Sequence, residues 1–131
     1  MSLSQTQLAD LVRLLDARHA ALLEDVRTAL EASENMQYIE LVDRAPADVG
    51  DQSVADALAD LNLAIVDRHV RELRDIEAAK VRIADRTYGV CVDCGDDIAP
   101  ERLRAWPTAK RCHACQQQRE RTFSHEGTPR L

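Results

Sequence analysis

The four cysteines of this 131-residue chain come as two Cys-x-x-Cys pairs, Cys91/Cys94 and Cys112/Cys115, with seventeen residues between the pairs. Two pairs at this separation can bring four thiolates to the corners of a tetrahedron, the arrangement that Zn²⁺ takes in a closed structural site. Gly95 follows the second cysteine and suits a tight turn, because glycine tolerates a positive φ. The pattern predicts one structural zinc ion held by the four cysteines.

Other uses of the cysteines fit the sequence less well. Residues 1–30 carry no secretory signal, because charged residues interrupt every apolar run, so structural disulfides are not expected. A thioredoxin-type redox pair would follow a strand in a βαβ unit, and none is predicted. A redox sensor and an iron–sulfur site remain open alternatives. His113 could replace a cysteine as ligand, but a solvated His113 beside four thiolates is favoured. Four thiolates also leave no open position for water, which disfavours a catalytic zinc.

The charge distribution argues against direct binding to nucleic acid. The net charge is −6; residues 87–131 contain seven Lys/Arg against six Asp/Glu, or +1, which leaves −7 for residues 1–86. A cysteine module so close to neutral, on an acidic chain, is a poor electrostatic match for phosphate backbones. No apolar run approaches the roughly 20 residues that span a bilayer. We therefore expect a cytoplasmic protein that does not bind DNA directly.

The first 86 residues have the composition of long helices, rich in alanine, leucine and charged residues. Helical spacing of apolar residues predicts one helix of about 40 residues from Ser4 to Asp43, with Ser4 and Gln7 as a capping box. The spacing resumes after Pro46 and Gly50 and predicts a second helix over about 54–86. The short connector makes the two helices antiparallel neighbours in a coiled-coil hairpin. On this seam His19 is expected to pack, beside Asp16.

The predicted hairpin tip, at about residues 44–53, is acidic. Five aspartates and only one basic residue, Arg44, lie between positions 43 and 60. Asp51 or Ser53 is expected to cap the second helix, whereas Asp48 has no evident local role. A tip of this kind would project some 45–50 Å past the base of the hairpin.

The predicted fold is therefore all-α. A helical hairpin over 1–86 precedes a four-cysteine module with a C-terminal helix over 87–124, and a disordered tail follows over 125–131. Trp106 is expected to pack the module, and Phe123 is expected to bring the final helix against the hairpin base.

This combination resembles the DksA/TraR family of bacterial transcription factors over about residues 11–124. At the tip, Asp48-x-x-Asp51-x-Ser53 stands where the family has Asp-x-x-Asp-x-Ala. In the module the resemblance rests on Tyr88-Gly89, Cys91, Cys94-Gly95, Ile98, Arg102-Leu103, Ala105, Pro107-Thr108-Ala109, Cys112 and Cys115.

The resemblance implies a non-enzymatic regulator that binds RNA polymerase. Family members insert the hairpin into the secondary channel of the polymerase and keep the zinc module outside, against the rim. Asp48 and Asp51 would then be the effector residues that shorten the lifetime of promoter open complexes, and Arg68 would help to anchor the hairpin. A hairpin that satisfies its own seam argues for a monomer.

Three departures from the family pattern change the expectations. Ser53 replaces the tip alanine and adds a hydroxyl that needs a hydrogen-bond partner. The basic positions that form a guanosine tetraphosphate site with polymerase appear here as Asp75, Trp106 and Gln116, so weak or absent dependence on that nucleotide is expected. The extra N-terminal segment that packs on the hairpin base in longer members is not found in this sequence.

Two further functions compete with the polymerase regulator. The chain could occupy the channel without altering initiation, as an anti-regulator or a modulator of elongation and transcript cleavage, and Ser53 is the feature that favours this alternative. A thiol oxidoreductase built on the Cys-x-x-Cys pairs is the enzymatic alternative, and bound zinc without reactive thiols would exclude it. The sequence offers no nucleophile–base pair, phosphate loop or open metal site for other chemistry.

Overall fold

The computed structural model describes the backbone of residues 3–127 and the side chains of residues 3–122. Six α-helices and one short 3₁₀ turn account for most of that stretch. In chain order they are α1 (Gln5–Ala32), α2 (Met36–Arg44), the 3₁₀ turn (Pro46–Asp48), α3 (Gln52–Ala59), α4 (Ala64–Ala84), α5 (Pro100–Ala105) and α6 (His113–Gly127). None of the helices in this part of the chain is both long and apolar enough to cross a bilayer.

Helices α1 and α4 form the long antiparallel pair on which the fold is built. Across their seam, Asp16 bonds Lys80 at 3.1 Å and His19 Nε2 lies 3.1 Å from Glu77 Oε1. Apolar side chains fill the seam at intervals of three and four, as an amphipathic helix requires; they are Leu11, Leu15, Leu22, Val26, Leu30, Val66, Val70, Leu73, Ile76 and Ala79. The all-α fold class, a long helix pair with a four-cysteine module, is confirmed.

The predicted start of α1 is confirmed, and His19 packs on the seam as expected. Ser4 Oγ accepts the Gln7 backbone N–H at 3.1 Å, and Gln7 Oε1 accepts the Ser4 N–H at 2.9 Å, which completes the capping box. The partner of His19, however, is Glu77 on α4 rather than Asp16.

The prediction of two uninterrupted helices is wrong. The first helix ends at Ala32 and a second begins at Met36; Glu34, between them, has a φ of 63°. The other arm is interrupted between α3 and α4, where Asn62 has a φ of 56°. At the first break Asn35 Nδ2 donates to Ser33 Oγ, and Ser33 Oγ donates to the Ala29 carbonyl. Such local side-chain bonds offer the backbone an alternative to the helix.

Beyond the two breaks the chain folds back along the α1/α4 pair. Arg27 Nε donates to Asp43 Oδ1 at 2.9 Å, although sixteen residues of continuous helix would separate them by about 24 Å. Arg74 donates to Gln52 Oε1 at 2.7 Å across a gap of twenty-two residues. We call residues 36–59 the folded-back lobe. The expectation of a slender rod with its acidic tip at the far extremity is therefore wrong for this structure.

The folded-back lobe closes a second apolar layer over the outer half of the helix pair. Ile39 and Val42 of α2 and Leu58 of α3 are buried there, together with Val49 from the connecting loop. Burying each such side chain contributes roughly 1.5–3 kcal/mol. Two long helices without the lobe would leave this outer face exposed, which explains why the chain doubles back.

The four-cysteine module, residues 87–124, lies against the opposite end of the pair. Tyr88 is buried, and its hydroxyl donates to the Pro107 carbonyl at 2.7 Å. Arg82 of α4 donates to the Thr108 carbonyl at 3.3 Å. The backbone of α6 is helical to Gly127, so the predicted tail at 125–131 starts inside that helix, and residues 128–131 lie outside the described part. The predicted packing of Phe123 also lies outside it.

Candidate metal centre and acidic loop

The first cysteine pair sits in a short antiparallel loop. Val90 and Asp97 form an isolated β-bridge, and the Cys91 N–H donates to the Asp96 carbonyl at 2.8 Å. Gly95 turns the chain between them with a φ of 79°, and nothing lies within 4 Å of where its Cβ would be. The predicted need for positive φ at Gly95 is therefore confirmed, because open space leaves backbone conformation as its only evident requirement.

The second pair is joined to the first by backbone and side-chain bonds. The Val92 N–H donates to the Lys110 carbonyl at 2.9 Å. Arg111 Nε donates to Asp93 Oδ2 at 2.8 Å, and its side chain is only 11% exposed. Arg102 Nε donates to the Arg111 carbonyl at 3.0 Å. These bonds set the spacing of the two cysteine pairs without using the sulfur atoms themselves.

The four sulfurs converge on one point. The Sγ atoms of Cys91, Cys94, Cys112 and Cys115 all lie within 4.8 Å of one another, and Cys94 Sγ is 3.8 Å from Cys112 Sγ. Tetrahedral coordination with metal–sulfur bonds of about 2.3 Å places sulfurs about 3.8 Å apart. The donor set and its dimensions therefore fit a closed tetrahedral metal site. His113 is exposed at the start of α6 and does not belong to this cluster.

The pKa values of two of these neighbouring thiols are shifted in opposite directions. Burial favours the neutral thiol of Cys91, but backbone hydrogen bonds from Cys94, Cys112 and Asp93 outweigh it and lower the pKa of Cys91 to about 6. The adjacent thiol of Cys112 raises the pKa of Cys115 well above its usual range. Four thiolates this close repel one another unless a cation shares their charge, and a bound metal ion supplies that charge.

Trp106 does not fill the module as predicted. Its side chain is 43% exposed, and the Arg102 guanidinium lies 5.0 Å from its ring centroid. The interior of the module is instead built from Tyr88, Ile98, Leu103 and Ala109. Helix α5 begins with Pro100 at its first position and carries Leu103 into this interior.

The acidic loop, residues 45–51, lies beside α4 instead of at the end of the molecule. A Cβ added at Gly50 would stand 3.3 Å from the Arg74 backbone nitrogen. The side chain of Val49, the preceding residue of the loop, is buried. Gly50 thus permits the close approach of the loop to α4. Asp48 and Asp51 remain exposed, so both carboxylates can still reach a partner.

The other predicted tip and anchor residues are also exposed. Asp51 stands at the N-cap position of α3 without a side-chain cap bond, and Ser53 lies in the first turn of that helix. Arg68 is exposed on α4. Among the described residues, no hydrogen bond or ion pair joins Arg68 to the acidic loop.

The three residues at the positions where the family resemblance implies a guanosine tetraphosphate site do come together. Asp75, Trp106 and Gln116 line one cleft of about 260 Å³ between α4 and the module. The same cleft is also lined by three basic residues that were not predicted from the sequence, namely Arg82, Lys110 and Arg111. Arg82 bonds the Thr108 carbonyl and Arg111 bonds Asp93, so two of the three cations already have partners. No periodicity or motif links Arg82 to Lys110 and Arg111, which lie in a different part of the sequence.

Comparisons with known proteins agree with these features. Residues 86–121 match the family model described as the prokaryotic dksA/traR C4-type zinc finger. The chain is 30% identical over 115 residues to the RNA polymerase-binding transcription factor DksA of Escherichia coli K12, covering 86% of this chain and 71% of that protein. It is 30% identical over 91 residues to the protein of the same name from Caulobacter vibrioides NA1000, covering 70% of this chain.

The chain spans 64% of the length of the Caulobacter protein, less than two thirds of it. Among solved structures, transcription factor DksA2 from Pseudomonas aeruginosa is similar with 27% identity and a TM-score of 0.49, covering 93% of this chain and 89% of that one. The family match over the cysteines and the 30% identity across 71% of the Escherichia coli protein show that this chain belongs to the DksA/TraR family.

Proposed function

We propose that this chain is a non-enzymatic transcription regulator that binds RNA polymerase directly. The observation that carries the proposal is the Escherichia coli relative, which is named an RNA polymerase-binding transcription factor and is matched over 86% of this chain. A match of that extent necessarily includes both the acidic loop and most of the four-cysteine module. The acidic balance of residues 1–86 supports a protein partner and argues against DNA.

The four cysteines hold one structural zinc ion in this proposal. Four converging thiols without an open position suit Zn²⁺, and the matched family model is a C4-type zinc finger. The ion contributes folding energy to a module whose interior is too small to be stable without it. It takes no part in a reaction, because no ligand position is left for water or substrate.

The acidic loop is the effector. In this proposal the chain enters the secondary channel of polymerase, and Asp48 and Asp51 act near the active centre to shorten the life of promoter open complexes. Both carboxylates are exposed, and no ion pair joins either of them to a basic residue among the side chains that the structure describes; both features support this role. Arg68 contacts polymerase from α4, and the four-cysteine module stays at the rim. The protein acts as a cytoplasmic monomer.

Guanosine tetraphosphate has a weak effect or none. A polyanion needs several unengaged cations, whereas Arg82 and Arg111 are already bonded and Lys110 faces the carboxylate of Asp75. The test is Asp75→Lys: we expect this variant to gain dependence on the nucleotide while the wild type lacks it.

The central test is the half-life of open complexes at a ribosomal promoter, with purified polymerase and the zinc-loaded chain. We expect the wild type to shorten it and Asp48→Asn/Asp51→Asn to lose that effect while still binding polymerase. A matched control, Glu40→Gln/Asp56→Asn, removes two charges elsewhere on the folded-back lobe and should keep the effect. No effect of the wild type, or equal loss in the control, would count against the proposal.

A second candidate is a channel occupant that leaves initiation unchanged. Ser53, exposed in the first turn of α3 where the family pattern has alanine, favours it. Here the wild type binds polymerase without altering the open-complex half-life, and Ser53→Ala confers the effect. A wild type that is already active excludes this candidate.

A further inference from the structure

We infer that the folded-back lobe is hinged and swings out to give one extended two-helix hairpin with the acidic loop at its end. The hinges are the two breaks, at residues 33–35 and 60–63. The inference concerns the free protein; only its use in polymerase rests on the proposed function.

The two breaks lie side by side at one end of the α1/α4 pair. Ala32 and Ser33 line the same surface groove as Leu63 and Ile65, so the two chain reversals occur at the same level. Each break contains a non-glycine residue in the left-handed region, Glu34 at 63° and Asn62 at 56°. That conformation is costly for L-residues. A rotation at both breaks together moves the lobe as a unit without disturbing α1 or α4.

The sequence of the breaks is compatible with continuous helix. Neither break contains proline or glycine, the two residues that most strongly terminate helices. The apolar periodicity also continues through the first break to Met36. In the folded-back state Met36 is 62% exposed and Ile65 is 45% exposed, so both apolar side chains lack cover next to the hinge.

The pairing register of α1 and α4 extends smoothly into the lobe. Asp16 pairs with Lys80 and His19 with Glu77. A residue three positions later in α1 therefore pairs with a residue three positions earlier in α4. If the same register continued past the two breaks, Val42 would lie opposite Val54 and residues 45–51 would form the closing turn of the hairpin. The apolar residues that now cover the helix pair would then pack on each other, so the chain has two alternative apolar arrangements.

The closed state is held by contacts that can separate. Apart from the apolar layer, the described contacts of the lobe with the pair are the Arg27–Asp43 ion pair, the Arg74–Gln52 hydrogen bond and the close approach of Gly50 to α4. Arg27 and Asp43 are 38% and 50% exposed, and surface pairs of this kind are worth little. Opening the lobe breaks these contacts and replaces them with apolar packing between the two arms of the extended hairpin.

A distance measurement tests the hinge in the zinc-loaded full chain. Labels are attached to ketone-bearing noncanonical residues at Ala47 and Asp85, so that no cysteine is used. Gly50 lies beside Arg74, eleven residues before Asp85, which gives a separation of roughly 20 Å when closed. A continuous helix from Gln52 to Asp85 gives roughly 50 Å when open.

Two variants favour the open state by independent routes. Glu34→Val/Asn62→Val places β-branched residues where φ is positive, which the closed state does not tolerate. Gly50→Val puts a side chain against the Arg74 backbone. We expect each to raise the ratio of long to short distances by about tenfold or more. Glu34→Gly/Asn62→Gly is the matched control, and it should leave the short distance alone because glycine accepts positive φ.

Far-ultraviolet circular dichroism and bound zinc establish that each variant is folded. The inference is overturned if both valine variants retain helix and zinc but show the short distance only. It is also overturned if every variant, including the glycine control, shows the long distance only, since the closed state would then not exist. Neither outcome depends on polymerase binding, so the hinge and the proposed function can fail separately.

Discussion

The four-cysteine module and the folded-back lobe are held to the same helix pair by different kinds of interaction. In the module, four sulfurs within 4.8 Å suit one ion, and the hydrogen bond from Arg82 of α4 to the Thr108 carbonyl joins the module to the hairpin base. The lobe depends on apolar side chains and a few exposed polar contacts. A metal site admits one arrangement of its ligands, whereas an apolar surface can be covered in more than one way. The module is therefore a fixed base, and the lobe is the part that can move.

Metal removal is expected to have the largest effect, and it should affect the module alone. Chelation, or Cys112→Ser, removes binding energy of roughly 10 kcal/mol or more that the module needs to fold. The intrinsic fluorescence of Trp106, half-exposed at the edge of the module, should change, while α1 and α4 keep most of the helical circular dichroism. Loss of the α1/α4 pair together with the metal would show that the two regions are not independent.

Matched Leu→Ala substitutions compare the two regions directly. Leu58 in the lobe and Leu103 in the module are both fully buried, so each change should cost about 2–5 kcal/mol. Leu58→Ala should loosen the lobe and leave zinc affinity unchanged, whereas Leu103→Ala should weaken zinc retention. Denaturant unfolding followed by zinc release measures both. Equal zinc loss in the two variants would contradict the separation.

Ionisation of Tyr88 is expected to destabilise the module at high pH. Burial raises the pKa of Tyr88 to about 12, so folding favours its neutral form. This contribution is complete below the unfolded pKa of about 10 and is lost as the pH rises towards 12. Tyr88→Phe should cost about 1 kcal/mol at neutral pH, because the Pro107 carbonyl loses its donor. The variant should also lose part of the alkaline destabilisation, which unfolding measured between pH 9 and 12 would detect.

The smallest effect is expected at the Arg18–Glu72 pair on the seam. The hydrogen bond from Arg18 lowers the pKa of Glu72, so this pair stabilises the fold above the usual glutamate pKa and less as the pH falls through the lowered value. Both side chains are more than a third exposed, which limits the loss in Arg18→Gln to less than about 1 kcal/mol. Thermal unfolding should show a larger difference between the variant and the wild type at pH 7 than at pH 3.

The sequence predicted features that depend on local chemistry. The four cysteines, Gly95 and the Ser4–Gln7 capping box each follow from a spacing or a backbone requirement within a few residues. The two breaks could not be predicted in this way, since the apolar periodicity runs through residues 33–35 without proline or glycine. Whether the chain continues or turns back there depends on burying Ile39, Val42, Val49 and Leu58 against a distant face. The basic residues around Asp75 are likewise brought together only by the fold.

One measurement tests the contrast between base and lobe most directly. The zinc-loaded chain carries the Ala47/Asp85 label pair, or a control pair at Asp85 and Gln117 within the base, and each distance is recorded with and without saturating RNA polymerase. We predict that the first distance increases from roughly 20 Å to roughly 50 Å on binding, while the control distance stays constant. A first distance that remains short in the bound chain would contradict the account.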